Sequence, residues 1–142
     1  MNKDTNTKVY RHETNGGQDN SLRRVMQNPR RTLSPYITEN MTVLDLGCGS
    51  GFFAAEIAMM LGDSGKVIAA DLHEGVLARF RQNLVGTDLE KKILLHKCLP
   101  DEIGLESKVD FILAFHMVGS SPDRAKLLDE IKELLNPNGL LF

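Results

Sequence analysis

Cysteine is scarce in this 142-residue chain: Cys48 and Cys98 are the only two, and they do not form a C-x-x-C pair. Two such residues build neither a disulfide framework nor, alone, a zinc site. A reducing compartment is the simpler expectation, and the cytoplasm is the predicted location. Charge of one sign is scarce too, with a formal net charge of −2. That balance argues against a dedicated nucleic-acid binder. A cluster at Arg23, Arg24, Arg30 and Arg31 reads more simply as a solvated helix face. No apolar run approaches the roughly 18 residues that span a bilayer. The first residues are polar and mixed in charge, unlike a secretory signal. Histidines are few and lie in separate segments, so no metal site is expected.

What is present is the balance of one globular domain, with 42% hydrophobic and 25% charged residues. Residues 1–20 are polar, hold Gly16-Gly17 and show no periodic apolar pattern, which predicts a mobile arm. Residues 21–40 turn helical. Leu22, Val25 and Met26 share a face, and Pro29 after Asn28 opens a second short helix. This segment is expected to serve as a lid over the site or as a flank of the sheet.

Residues 41–142 form the regular part. Thr42–Leu46 is an apolar run meeting a glycine cluster; Phe53, Ala54, Ile57, Ala58 and Leu61 then recur at helical spacing, with Gly62 as a stop. Lys66–Asp71 reads as a strand, and Val76, Leu77, Phe80 and Leu84 mark a helix. Ile93–Leu95 and Val109–Phe115 are further strands, the second patterned for cover on both faces. Ser121 with Pro122 starts a last helix, with Leu127, Leu128, Ile131, Leu134 and Leu135 on one stripe. Asn136-Pro137-Asn138-Gly139 breaks it, and Leu140–Phe142 begins another strand. Strand followed by helix, four times over, predicts an α/β fold: a doubly wound, mostly parallel sheet in a three-layer α/β/α sandwich. Ligands of such sheets sit at the carboxyl ends of the strands, where strand order reverses.

The chemistry concentrates in Val43-Leu44-Asp45-Leu46-Gly47-Cys48-Gly49-Ser50-Gly51-Phe52. Glycines 47, 49 and 51 stand where the first strand turns into the first helix. Lacking a Cβ, they admit positive φ and close approach of a ligand, and the helix start behind them offers free amides. Asp71 closes the second strand 20 residues after Gly51, where a carboxylate accepts both hydroxyls of a ribose. The ligand therefore carries a ribose. A dinucleotide fingerprint needs its third glycine one place later, where Phe52 stands, so a nicotinamide-dependent oxidoreductase is disfavoured. No Gly-Lys-Ser/Thr follows, so a P-loop is too.

VLDLGCGSG with its downstream acidic strand end resembles motifs I and II of the class I S-adenosylmethionine-dependent methyltransferases. VDFILAFHMV is similar to that family's fourth-strand motif, and LLNPNGLLF to its L-K-P-G-G-x-L motif. The resemblance covers about residues 38 to 142 and is nearest to the small type 11-like group. It implies a Rossmann-like fold and S-adenosylmethionine as cofactor. Asp45 would then orient the amino group of the cofactor's methionine part, and Gly47, Cys48, Gly49 and Gly51 would let that part pass over the loop. Asp71, its side chain aimed at the ligand, would bind the ribose hydroxyls; Leu72 and His73 would flank the adenine. After the third strand the family usually carries an acidic residue in a Gly-Asp-Ala-like stretch. Here His96-Lys97-Cys98-Leu99 stands in its place, leaving Cys98 and Leu99 to give backbone and packing contacts. Ala114, Phe115 and His116 would line the methyl-donor side, His116 as a base or as a packing residue. Cys48 reads as a space-filler, not a nucleophile.

The resemblance further implies transfer of a methyl group to a small-molecule acceptor. The sulfonium is already activated, so alignment and exclusion of water are the main demands on the protein. No Asn-Pro-Pro-Tyr-like or Pro-Cys element points to nucleic-acid bases. The family's sheet has seven strands, and this sequence stops within the fifth, lacking the final strands. A fragment, a homo-oligomer covering the open edge, and a reduced domain are the three explanations. A non-catalytic cofactor-binding module acting through a partner chain is the alternative function.

Overall fold

The computed structural model describes residues 28–114, 117 and 121–142. The described residues start with a one-turn helix, α1 (Pro29–Leu33), whose first turn is capped by Asn28: its side chain accepts the Arg31 N–H at 3.0 Å. Pro29 suits this place because its missing N–H has no intrahelical acceptor there. Then follow β1 (Thr42–Leu46), α2 (Phe52–Met60), β2 (Lys66–Asp71), α3 (Glu74–Leu84), β3 (Ile93–Lys97), β4 (Val109–Leu113), α4 (Arg124–Leu134) and β5 (Leu135–Leu141).

The strands pair in the order β3-β2-β1-β4-β5, and every pair is parallel. Succession runs outward from β1 to β3, then jumps back to β4 on the other side of β1. The crevice this reversal opens lies at the carboxyl ends of β1 and β4. Both faces of the sheet are covered, so its strands alternate between two apolar layers and not between core and water. On one face Val43, Val67, Ala69 and Phe111 pack against Ala54, Ile57, Phe80 and Leu33 of the helices. On the other, Leu44, Leu46, Ile68 and Ile112 meet Ile131 and Leu134 of α4. Three alanines, at 54, 55 and 58, are almost fully buried in α2, and their small size brings that helix close to the sheet. The predicted α/β/α sandwich is what forms. No helix among the described residues is long and apolar enough to cross a membrane.

Four local expectations are corrected. First, no helix stands between β3 and β4; residues 98–108 cross the second face as a loop, so strand–helix alternation fails once. Second, β3 runs on to Lys97, two residues past Leu95, because its ladder with β2 continues through Ala70↔His96 and Asp71↔Lys97. Third, α4 begins at Arg124 and not at Ser121. Asp123 is its cap, its carboxylate accepting the Lys126 N–H at 3.0 Å.

Fourth, Asn136-Pro137-Asn138-Gly139 ends the helix but does not delay the strand. Leu135 already pairs with Val109 and Leu140 with Phe111, so these four residues bulge out of a ladder that resumes beyond them. The Asn136 side chain ties the bulge down by donating to Asp110 Oδ1 at 2.7 Å. The same irregularity puts Val109 and Ile112 into one apolar layer although they are three residues apart.

β4 itself stops at Leu113, with the Ala114 N–H still donating to the Phe142 carbonyl at 3.0 Å. Phe115 and His116 lie outside the described residues, as does the arm 1–20 and the face of Leu22, Val25 and Met26 with its neighbours Arg23 and Arg24. From Asn28 on, the N-terminal segment is docked: Leu33 is fully buried and Ile37 nearly so, both in the layer beside α2. Arg30 and Arg31 are exposed.

Candidate functional site

The glycine loop leaves β1 at Gly47 and enters α2 at Gly51. Its three glycines have φ of 81°, 54° and 87°, the left-handed region that a side chain strains. The loop is hung on β2: the N–H groups of Gly47 and Cys48 both donate to the Ala70 carbonyl, at 2.8 and 2.9 Å. The glycines differ in what surrounds them. A Cβ on Gly49 would meet nothing within 4 Å, whereas one on Gly51 would clash with the edge of the Phe80 ring and one on Gly47 would lie 2.7 Å from Met117 Cγ. Gly49 is thus the open crest of the loop. Gly51 is where the loop passes against the Phe80 side chain of α3, a packing role beyond the passage for ligand expected of it.

Asp71 sits 8% exposed at the end of β2. Its Oδ2 accepts the Gly49 N–H at 3.0 Å and its Oδ1 the His73 N–H at 2.9 Å. This carboxylate therefore does two jobs that were separate in the sequence. It faces the crevice, and it fixes the loop crest to the start of α3. Each oxygen keeps a second lone pair for a ligand hydroxyl.

Asp45, inside β1 and 3% exposed, is the one buried side chain among the described residues with an unpartnered polar atom, its Oδ2. Burial pushes its carboxyl up to about 7, against the pull of the Ala54 N–H and with a smaller push from Asp71. An orphaned carboxylate oxygen is costly unless something comes to it. A cationic amine is the group whose chemistry answers it.

Both thiols are buried and their pKa values are raised, Cys98 to about 11 and Cys48 further, in each case chiefly by desolvation. Burial thus disfavours the thiolate form of both. Cys48 fills space, as the sequence suggested.

A cavity of about 360 Å³ opens at the carboxyl ends of the strands, within the range of small-molecule sites. Of the residues nominated from sequence it is lined by Gly47, Asp71, Leu72, His73, Cys98 and Leu99. Asp45, Cys48, Gly49, Gly51 and Ala114 stand behind or beside this wall and do not line it. The backbone donors expected of Cys98 and Leu99 are already engaged: Cys98 N–H donates to the Asp71 carbonyl and Leu99 N–H to the Glu102 carbonyl, both at 2.9 Å. Packing is what this stretch offers, through a Leu99 side chain that is 54% exposed.

Sequence reasoning missed the rest of the lining, including Ile103, Met117, Ser121, Asp123 and Glu130. Ile103 was the one retrievable signal, a lone β-branched apolar residue in a polar connection. No described cluster of histidine, cysteine and carboxylate side chains is built to hold a metal ion.

The comparisons with known proteins agree with this geometry. A family model described as a methyltransferase domain matches residues 43–139. The ubiquinone biosynthesis O-methyltransferase of Hydrogenovibrio crunogenus is 30% identical over 106 residues, which are 73% of this chain and 42% of that protein. The arsenite methyltransferase of Halobacterium salinarum is 28% identical over 69% of this chain and 25% of its own length. The chain thus spans less than half of either of these relatives. A crystal structure of an S-adenosylmethionine-dependent methyltransferase from Aquifex aeolicus superposes with a TM-score of 0.72 at 28% identity, covering 87% of this chain and 66% of that one. With its glycine loop, its acidic strand end and a reversal point between them, the chain belongs to the class I methyltransferase-domain family.

Proposed function

We propose that this domain binds S-adenosylmethionine and takes part in methyl transfer to a small-molecule acceptor. The observation that carries the reading is the unpartnered Asp45 Oδ2 behind a glycine loop that Asp71 holds in place. The residues fit the cofactor. Asp45 would receive the amino group of its methionine part, Asp71 the ribose hydroxyls, and Leu72, His73 and Leu99 the adenine. Bound there, the cofactor supplies an electrophilic methyl group, and the chain's share is to hold it and keep water away. The Hydrogenovibrio and Halobacterium relatives are named for ubiquinone biosynthesis and arsenite, which supports an acceptor of small size. The sulfonium and ammonium of the cofactor suit a lining whose acids include Asp71, Asp101, Glu102, Asp123 and Glu130.

The direct test compares ligands. S-adenosylhomocysteine is expected to raise the melting temperature and NAD, at equal concentration, to leave it unchanged. Comparable stabilisation by NAD removes the assignment.

Asp45 makes that binding depend on pH. Its folded-state pKa, about 7, exceeds the roughly 3.9 of an unfolded aspartate. Between those values the native state holds a proton that the unfolded chain has lost, so the ligand-free domain loses stability as pH rises through this window. A ligand ammonium reverses the preference by binding the ionised form. Affinity for S-adenosylhomocysteine should therefore climb by up to about tenfold per pH unit below 7, and level off above it. Titration calorimetry from pH 5.5 to 8 measures it. The Asp45→Asn protein is expected to give a flat profile; a profile as steep as wild type would assign the dependence to another group.

A further inference from the structure

The connection 98–108 forms one wall of the cavity without any regular structure of its own, and its hold on the fold passes through Ile103. That residue is 2% exposed, packed in the layer of Ile131 and Leu134. A buried loop residue needs partners for both of its backbone polar groups. Ile103 finds them in side chains of two different elements. Its N–H donates to Glu130 Oε2 on α4 at 2.7 Å, and its carbonyl accepts from His96 Nε2 on β3 at 2.6 Å. The turn just before it, Leu99 to Glu102, closes on itself through paired backbone bonds and lines the cavity. Its near end is fixed at Cys98, whose N–H bonds to the Asp71 carbonyl.

The turn is therefore a small plate on two buried mounts, with an exposed Asp101–Lys126 ion pair at 3.7 Å as a weaker third tie. One is the backbone of the residue whose carboxylate we assign to the ribose. The other is the pair of side chains on Ile103. Glu130 belongs to the helix whose cap Asp123 and whose Leu127 also line the cavity, so it ties the plate to α4.

We propose that His96 and Glu130 are positioning residues for the nucleoside half of the ligand: by bracketing Ile103 they set the plate that the adenine packs on. The inference rests on the reading that the cavity takes adenosine.

Two probes and five variants test it. The probes are S-adenosylhomocysteine and 5′-methylthioadenosine, which lacks the amino-acid part. Glu130→Ala strands the buried Ile103 N–H, and should weaken both probes equally, about tenfold, on the scale of one unsatisfied buried donor. Glu130→Gln keeps an acceptor at that place and should restore affinity to within about threefold of wild type. His96→Ala should behave like Glu130→Ala, and His96→Gln, whose amide can donate to the same carbonyl, like Glu130→Gln. Asp45→Asn is the control for the other half of the ligand. It should weaken S-adenosylhomocysteine and leave 5′-methylthioadenosine unchanged.

Hydrogen exchange at the Ile103 amide gives a readout that does not depend on any ligand, and it should quicken in Glu130→Ala and recover in Glu130→Gln. All measurements are made well below each variant's melting temperature. Folded Glu130→Ala and His96→Ala proteins that bind both probes like wild type overturn the positioning role. So does a Glu130→Gln protein as damaged as Glu130→Ala. If the wild-type domain binds neither probe, the cofactor reading itself has failed, and with it this inference.

Discussion

Replacing Asp71 with alanine is expected to weaken S-adenosylhomocysteine binding by about 1.5–3 kcal/mol, the scale of losing charge-assisted bonds to a ribose diol. The structure adds a second loss that no ligand is needed to see. Gly49 and His73 each surrender an acceptor for a backbone N–H, which at about 1 kcal/mol per bond costs about 2 kcal/mol of stability. An Asp71→Asn protein separates the two effects. Its one remaining carbonyl oxygen serves either Gly49 or His73, so stability should fall between wild type and alanine, while the charge is gone altogether. Calorimetry and thermal melting on the three proteins measure both quantities. An alanine variant with wild-type affinity and melting temperature would falsify the assignment of Asp71 to ribose and loop alike.

Gly51→Ala is the substitution expected to damage the fold most. Two costs add there. A side chain at φ 87° is strained by roughly 1 kcal/mol, and its Cβ would overlap the ring of Phe80, which is 1% exposed and unable to withdraw. Overpacking of this kind costs a further 1–3 kcal/mol or so, for a total of about 3 kcal/mol. Gly49→Ala is the comparison, with positive φ but open space around it. It should cost only the strain, about 1 kcal/mol. Urea unfolding of both variants decides the matter. Equal losses at the two positions would show that the backbone angle, and not the contact with Phe80, is what glycine 51 serves.

The first half of this architecture was legible because its residues announce themselves locally. Three glycines between an apolar run and a 3.6-residue period leave one reading for β1, the loop and α2. Asp71 could be placed because the strand before it is unbroken by a polar residue. Reading failed where local chemistry and tertiary pairing disagree. Asn136-Pro137-Asn138-Gly139 has the composition of a turn, and it does leave the ladder. Yet Leu135 before it and Leu140 after it are recruited by β4, which a window of sequence cannot see. Ser121-Pro122 offered a plausible cap, but Asp123 is the residue whose carboxylate reaches the Lys126 N–H.

The rest of the cavity lining was hidden for a different reason. Ile103, Met117 and Glu130 come from three segments with no shared motif. Glu130 in particular looks like any charge on the polar face of a helix until the topology brings the 98–108 connection against it. What carries a motif could be read, and what is assembled by the crossover could not.

The central strand has one more consequence, for the order in which the domain is made. β1 finds its first neighbour quickly, since β2 follows after a single helix and turn. Its second neighbour is far off: Thr42 bonds to Asp110, 68 residues along the chain. Closing the longer loop costs only about 1 kcal/mol more than closing the shorter, so chain entropy alone does not hold β4 back. β4 joins a face that the 98–108 connection and α4 also cover, so that face is complete only with them. During synthesis or refolding, β1, β2 and β3 can therefore stand as a half-sheet with one side of β1 unpaired. That row of free amides and carbonyls is the kind of open edge to which a second unfolded copy can add itself. The reversal of strand order that opens the ligand crevice is thus also the seam at which the domain is most exposed to mispairing before it closes.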